Sequence, residues 1–273
     1  MNIEWDQSAM ATPHSIGIVG GSGALGSAIA RALLRDRYVT PERLWISNRS
    51  GKASGFEEWP GTRFTTRNQE LVDACQIVLL SVPPHLASSV GIDAENRLVI
   101  SVMAGVSIEQ IEQQTGAQRV VRAMSSPAAE IGLASSPWCA SAGVSDEDRD
   151  WTRGLFDACG LTDEVPNEDQ IDLFTALTGP VPGFVAYYAD CMVAYAAKRG
   201  IDPAVADRAI RQLFHASGVV LAESEASPGE HVREMIAYAG TTAAGLEAMK
   251  VSTIAASIEQ GLDAAFQMAR RIG

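Results

Sequence analysis

Ser15-Ile16-Gly17-Ile18-Val19-Gly20-Gly21-Ser22-Gly23-Ala24-Leu25-Gly26 is the stretch that decides the fold of this chain. Its first five residues form a short apolar run of strand type. Leu25, Ile29, Ala32 and Leu33 then recur at helical spacing, ending near Asp36. A glycine loop wedged between a strand and a helix has a specific use. On this reading Gly21 permits the tight turn, Gly23 lets a pyrophosphate approach the backbone, and Gly26 lets the helix pack on the strand. Gly21, Ser22, Gly23, Ala24, Leu25 and Gly26 are therefore expected to hold a dinucleotide. Its phosphates would meet the free amides and the positive dipole end of the helix.

Strand and helix patterns continue to alternate beyond this loop. Residues 43–47 and 64–66 read as strands, and Asn68 as the cap of a helix over 69–74. Residues 77–82, 98–103 and 119–123 are continuous apolar runs, as expected of parallel strands covered on both faces. Ser107 caps a helix over 108–114, closed by Gly116. Residues 145–160 read as a helix with Asp146, Glu147 and Asp148 in its first turn, and 161–165 as a last strand. This alternation predicts an α/β fold with a Rossmann-type doubly wound parallel sheet. From Pro166 the strand signals stop. Helical patterns run to the end, broken at residues 179–183 and at Gly200, with Asp202 and Pro203 opening a new helix. Residues 251–272 carry one apolar stripe: Ile254, Ile258, Leu262, Ala265, Phe266, Ala269 and Ile272. Two domains follow: residues 1–165 for the dinucleotide, and 166–273 as an all-helical substrate and dimerisation domain. A second copy of the chain is the expected cover for the apolar stripe, giving a homodimer or higher homo-oligomer.

The cofactor's ribose is read about 20 residues past the loop. An acid there would hold the hydroxyls of NAD(H); this chain has Ser47-Asn48-Arg49-Ser50 instead. Arg49 can pair with a 2′-phosphate and stack on adenine, so Asn48, Arg49 and Ser50 point to NADP(H), with NAD(H) less favoured. The turns after two of the apolar runs, at Val82-Pro83 and Ala104-Gly105, lie at strand ends where such sheets place ligands, and are expected to face the nicotinamide half. His85 is read as a solvated loop residue rather than an acid.

Composition narrows the partners. The chain has 273 residues, 21 basic and 33 acidic, a net charge of −12, and only three lysines, Lys52, Lys198 and Lys250. Phosphate backbones and anionic lipid would be repelled, and no basic run offsets this, so neither nucleic acid nor membrane is an expected partner. No stretch approaches the roughly 20 apolar residues of a membrane span. Residues 1–14 lack the basic start and apolar middle of a signal peptide. Cys75, Cys139, Cys159 and Cys191 are scattered, as expected of reduced, structural thiols in a cytoplasmic protein. Neither they nor His14, His85, His215 and His231 have metal-ligand spacing, and no metal is expected.

With these motifs placed, the chain resembles the pyrroline-5-carboxylate reductase family along most of its length. Residues 16–26 resemble that family's cofactor loop, Asn48-Arg49-Ser50 its NADP-reading turn, and residues 99–107 its central strand and turn. Val121-Arg122-Ala123-Met124 is similar to the segment leading into its substrate cleft. Thr175-Ala176-Leu177-Thr178-Gly179 and Gly240-Thr241-Thr242 resemble its two substrate-contacting segments. The resemblance implies reduction of a cyclic imine, first among them 1-pyrroline-5-carboxylate to proline. It implies that Thr242 bonds the substrate nitrogen and that Thr178 adds a hydroxyl. It also implies that Met124, Gly179, Gly240 and Thr241 line the substrate.

The departures fall mostly on the substrate side. The family's Lys-Pro is Pro83-Pro84 here, and its Pro-Asn-Thr-Pro-Ala is Ser125-Ser126-Pro127-Ala128, one residue shorter and without the Asn. Its Ser-Gly-Ser-Gly-Pro becomes Thr178-Gly179-Pro180-Val181-Pro182, and its Ser-Pro-Gly-Gly becomes Ala237-Tyr238-Ala239-Gly240. Two alternatives therefore stand: a reductase of a different imine or small carbonyl, with Tyr187 or Asp190 as proton donor, or a non-catalytic NADPH-binding regulator. The related β-hydroxyacid dehydrogenases need a Lys on the helix after residue 183, and none occurs before Lys198.

Overall fold

The computed structural model describes residues 15–52 and 54–272. The polar start, residues 1–14, on which the signal-peptide expectation rests, lies outside them. Two compact units form. One runs to Gly179 and takes in Ala265 onward; the other is Pro180–Ala264.

The first unit is built on an eight-stranded sheet. In chain order its strands are β1 (Ile16–Val19), β2 (Leu44–Ser47), β3 (Arg63–Thr65), β4 (Ile77–Leu80), β5 (Leu98–Ser101), β6 (Arg119–Ala123), β7 (Ala134–Ala140) and β8 (Gly160–Glu164). Their spatial order is β3-β2-β1-β4-β5-β6-β7-β8. The first six run parallel, as the apolar runs predict. β7 was not anticipated; it lies antiparallel to β6 and parallel to β8. Its sequence hides it, because Ser135, Ser136 and Pro137 read as a loop. The Pro137 carbonyl nevertheless accepts from the Met124 amide at 3.0 Å.

Helices cover both faces. α1 (Ala24–Arg35) and α4 (Asp146–Asp157) lie on one; α2 (Asn68–Ala74) and α3 (Ile108–Thr115) lie on the other. Alternate residues of each strand feed the two cores. Ile77 and Leu79 join Ile29, Leu33, Leu155, Phe156 and Trp138 on the α1 side. Val78 and Leu80 join Leu71, Val72 and Ile111 on the α2 side. Each fully buried Ile or Leu contributes roughly 1.5–3 kcal/mol, which is why the central strands carry no polar face.

The caps mostly follow the sequence. Ser107 closes a capping box with Gln110 at the start of α3, and Gly116 ends that helix in the left-handed region at φ 69°. Ser145 does the same with Asp148 for α4. That helix stops at Asp157, short of 160, because Gly160 at φ 144° already starts β8. Asn68 is not a cap. It is the first residue of α2, and its amide donates to the Val90 carbonyl at 2.8 Å while its oxygen accepts from Ser47.

α5 (Glu168–Leu177) completes the first unit, capped by Asn167 and packed on a small cluster of Met124, Cys139 and Ile171. The second unit contains α6 (Gly183–Lys198), α7 (Pro203–Glu223), α8 (Pro228–Tyr238), α9 (Thr241–Lys250) and α10 (Ile254–Ala269) up to Ala264. Asp202 caps α7 through the amides of Ala204 and Val205, with Pro203 at the first position. Tyr188 of α6 meets Phe214 of α7 edge-on at 5.7 Å. α6 buries none of its residues, and Phe184, Val185, Tyr187 and Tyr195 stand exposed. Among the described residues no helix is long and apolar enough to cross a membrane.

Three thiols are sealed in the first unit. Burial pushes Cys75, Cys139 and Cys159 up to about 12, so almost no thiolate forms at neutral pH. Cys191 on α6 is exposed. An aromatic disulfide reagent near about pH 8 should therefore modify at most one thiol of the native protein, at Cys191, and all four in denaturant. Rapid native labelling of two or more would contradict this packing.

Candidate active site

The turn from β1 to α1 is where backbone crowds backbone. The left-handed residue is Gly20, at φ 81°, not Gly21 as the motif spacing implied. A methyl group on Gly20 would run into the Ser81 carbonyl and the Val82 side chain. Gly21 is required for a different reason: a Cβ there would sit 2.9 Å from Ile46 Cγ2. Gly26 packs as expected, its absent Cβ lying 2.8 Å from the Gly20 carbonyl and 3.0 Å from Gly21 Cα. Gly23 is the exposed N-cap of α1, with only the Gly20 carbonyl near its missing side chain, at 3.3 Å.

This leaves the start of α1 open. The first intrahelical bond runs from the Ser27 amide to the Gly23 carbonyl at 2.9 Å, so the amides of Ala24, Leu25 and Gly26 precede the ladder. No side chain caps them, and the first turn carries no acid. Ser22, Gly23 and Ala24 are exposed. Such an end attracts an anion through its dipole and its donors together.

The turn after β2 is held near that loop by the Gly20 amide, which donates to the Ser47 carbonyl at 3.1 Å. Asn48 shapes the turn. Its carbonyl oxygen accepts from the amides of Ser50 (3.1 Å) and Gly51 (2.6 Å), and its amide donates to the Lys52 carbonyl at 3.0 Å. Arg49 is exposed and makes no hydrogen bond or ion pair among the described residues. A free guanidinium on a rigid turn suits a phosphate. Val82 and Pro83 follow β4, next to the Ser81 carbonyl that packs on Gly20. His85 is exposed, as expected of a loop residue. Ala104 and Gly105 follow β5, with Gly105 left-handed at φ 73°.

Met124 continues from β6 and is buried. Thr178 lies against it, its hydroxyl 3.5 Å from the Met124 sulfur and donating to the Phe174 carbonyl at 3.1 Å. A Cβ on Gly179 would come 3.0 Å from Met124 Cε. These three residues form one contact.

Next to Met124 in the chain is a buried ion-pair group that the sequence does not single out. Arg122 on β6, 3% exposed, donates to Glu168 of α5 at 3.1 Å and to Asp172 of the same helix. Glu168 also accepts from the Ile108 amide at the start of α3, at 2.8 Å. The Arg122 Nε is buried without a partner among the described residues. Cys139 stands opposite Arg122 in the ladder, and burial and nearby Glu168 push its thiol up. The available signal was an arginine inside an apolar strand, with two acids one helical turn apart further on.

In the second unit, Gly240, at φ 119°, is the N-cap of α9, so Thr241 and Thr242 are the first two helical residues. Thr242 is thus not the cap. Both threonines are exposed and spend no hydroxyl on hydrogen bonds among the described residues. They line a cleft of about 370 Å³ with Met235, Tyr238, Ala239 and Gly240. Ala239 holds φ 59°, a conformation glycine would take more easily.

Comparison with known proteins bears on the family and the fold. The family described as pyrroline-5-carboxylate reductase dimerisation matches residues 168–272, and the one described as NADP oxidoreductase, coenzyme F420-dependent, matches residues 15–105. Pyrroline-5-carboxylate reductase 2 of Bacillus subtilis is 30% identical over 245 residues, covering 87% of each chain. The chain belongs to the pyrroline-5-carboxylate reductase family. Another member, from Synechocystis, is 26% identical over 264 residues, covering 94% of this chain and 98% of its own. The solved pyrroline-5-carboxylate reductase of Coxiella burnetii superposes with a TM-score of 0.86 at 25% identity, over 96% of this chain and 99% of that one.

The glycines of this family member's loop should separate in a stability measurement. Gly20→Ala is expected to cost about 2–4 kcal/mol, from a left-handed alanine against the Ser81 carbonyl. Gly23→Ala should cost about 1 kcal/mol or less, the difference of a poorer cap. Equal losses in urea unfolding would show that the turn does not constrain Gly20.

Proposed function

We propose that this protein is an NADPH-dependent reductase of a cyclic imine, with 1-pyrroline-5-carboxylate, reduced to proline, as the first substrate. The observation that carries the reading is the open start of α1 close to the turn that bears the exposed Arg49, in a chain whose relatives bear that activity in their names over nearly their whole length.

The residues fit the cofactor. The uncapped amides of Ala24, Leu25 and Gly26 suit a pyrophosphate, and Gly23 offers no side chain in its way. Arg49 would pair with the 2′-phosphate, on a turn fixed by Asn48 and Ser50. Val82, Pro83, Ala104 and Gly105, at the carboxyl ends of β4 and β5, would border the nicotinamide. NADPH, when bound, supplies the hydride to the imine carbon. The protein's share is orientation and charge.

On the second unit, the amides at the start of α9 would hold a substrate carboxylate, and the unspent Thr242 hydroxyl would bond the ring nitrogen as it becomes an amine. On the first unit, Met124, Thr178 and Gly179 would form a substrate-facing wall. The changed residues at Pro83-Pro84, Ser125-Ser126 and Tyr238-Ala239 favour a substrate pocket reshaped from the family pattern. The uncovered apolar face of α6 and the match to a dimerisation family support assembly with a second copy.

Following NADPH oxidation with a panel of cyclic imines and 2-oxo acids tests the proposal. Turnover of 1-pyrroline-5-carboxylate is expected. Turnover of other imines alone would move the substrate, and tight NADPH binding with no turnover would leave a regulator instead. Arg49→Glu should weaken NADPH about tenfold or more while changing NADH about twofold or less, the loss of one charged hydrogen bond. Thr242→Ala should lower kcat/KM on the true substrate about tenfold. Unchanged turnover in that variant would remove Thr242 from the reaction.

A further inference from the structure

We propose that Arg122 is a positioning residue, a buried guanidinium that fixes α5 against β6 and so sets the wall of Met124, Thr178 and Gly179. The inference deepens the imine-reductase reading and rests on it for its catalytic readout.

The pleat of β6 places the arginine. Val121 and Ala123 enter the core on the α1 side. Val120 enters the opposite core, and Met124 the small cluster with Cys139 and Ile171. Arg122 shares that second face by the period of two. A charge on an inward-facing position of a parallel strand has no access to water, so its partners must come from whatever covers it. They come from α5. Glu168 and Asp172 are four residues apart, one above the other on a single helix face, an arrangement of like charges that destabilises a helix unless a cation lies between. Arg122 lies between them.

The consequence is geometric. The same helix face carries Ile171 and Thr175 onward to Thr178 and Gly179 at its end. With its first two turns clamped to β6, that end is brought to Met124, two residues along the strand from Arg122. The 3.5 Å approach of the Thr178 hydroxyl to the Met124 sulfur is the far end of the clamp. Glu168 extends the device sideways. By accepting from the Ile108 amide at 2.8 Å it also holds the start of α3, directly after the Ala104-Gly105 turn. One buried cation therefore sets two segments that border the ligand edge of the sheet. Its hydrogen bonds go to α5, and the glycine loop at β1 is not part of it.

Asp172→Asn and Glu168→Gln keep shape, and the glutamine still accepts from Ile108, so these are the first variants; Arg122→Met removes the clamp and Arg122→Lys restores its charge. On the full chain, Asp172→Asn and Arg122→Met should lower kcat/KM for the imine tenfold or more, with NADPH affinity within twofold of wild type. Arg122→Lys should recover part of the loss. Hydrogen exchange of the segment 174–179 should quicken about tenfold while residues 16–30 stay protected. A purely structural role would lower the unfolding temperature and leave the kinetics of the folded fraction within twofold, and that result overturns the proposal. So does exchange that quickens equally in both segments. If wild type reduces no imine, the reading of function fails, and the exchange measurement alone then decides for or against the clamp.

Discussion

The approach of β1, α1 and β4 at Gly20 leaves no room for a side chain, and much else in the first unit depends on that closeness. The Ser81 carbonyl sits where a Gly20 Cβ would be, and Gly26 rests on the Gly20 carbonyl and Gly21 Cα. Only this contact lets α1 start at the strand end and lay Ala28, Ile29, Ala32 and Leu33 on the sheet. Burying the two large members of that face contributes roughly 3–6 kcal/mol. The same contact leaves the first amides of α1 without a hydrogen-bond partner among the described residues. Helix packing and an uncapped helix start thus come from one piece of geometry.

A second organising element is polar. Charged groups inside a protein cost several kcal/mol each unless paired and bonded. Arg122 meets that requirement with two carboxylates from a helix distant in sequence, and the third bond of the set goes to the backbone of α3. Directionality is what an apolar contact would lack. Leu or Met at this place would pack α5 on β6 without fixing how far the helix slides along the strand.

Much of this was legible in the residues. Ile77 to Leu80 and Leu98 to Ile100 are apolar throughout because both faces are covered, and that pattern cannot be mistaken. Ser107 and Asp202 are caps whose chemistry is local, so spacing alone finds them. Three things were hidden, each for a physical reason. Which glycine of the loop is left-handed depends on Ser81, sixty-one residues away. Asn68 looks like a cap until Ser47 and Val90 claim its side chain. β7 pairs with strands on both sides although Ser135, Ser136 and Pro137 break its apolar pattern. For the candidate site, the open helix start and the free arginine could be read directly. The partners of Arg122 could not, since forty-six and fifty residues separate them from it.

The reversal at β7 has one further consequence. Between β5 and β6 the chain must cross over the sheet through α3, and the length of that path is fixed by the helix. Between β6 and β7 it only turns back, through Ser125, Ser126 and a short helical turn at Pro127–Ile131. A turn-back connection can lose or gain a residue while the ladder between Ala123 and Trp138 keeps its register. By the resemblance read from the sequence, the chain beside Met124 is one residue shorter than the family's pattern. That length is a freely adjustable dimension of the fold, placed next to the contact of Met124 with Thr178 and Gly179.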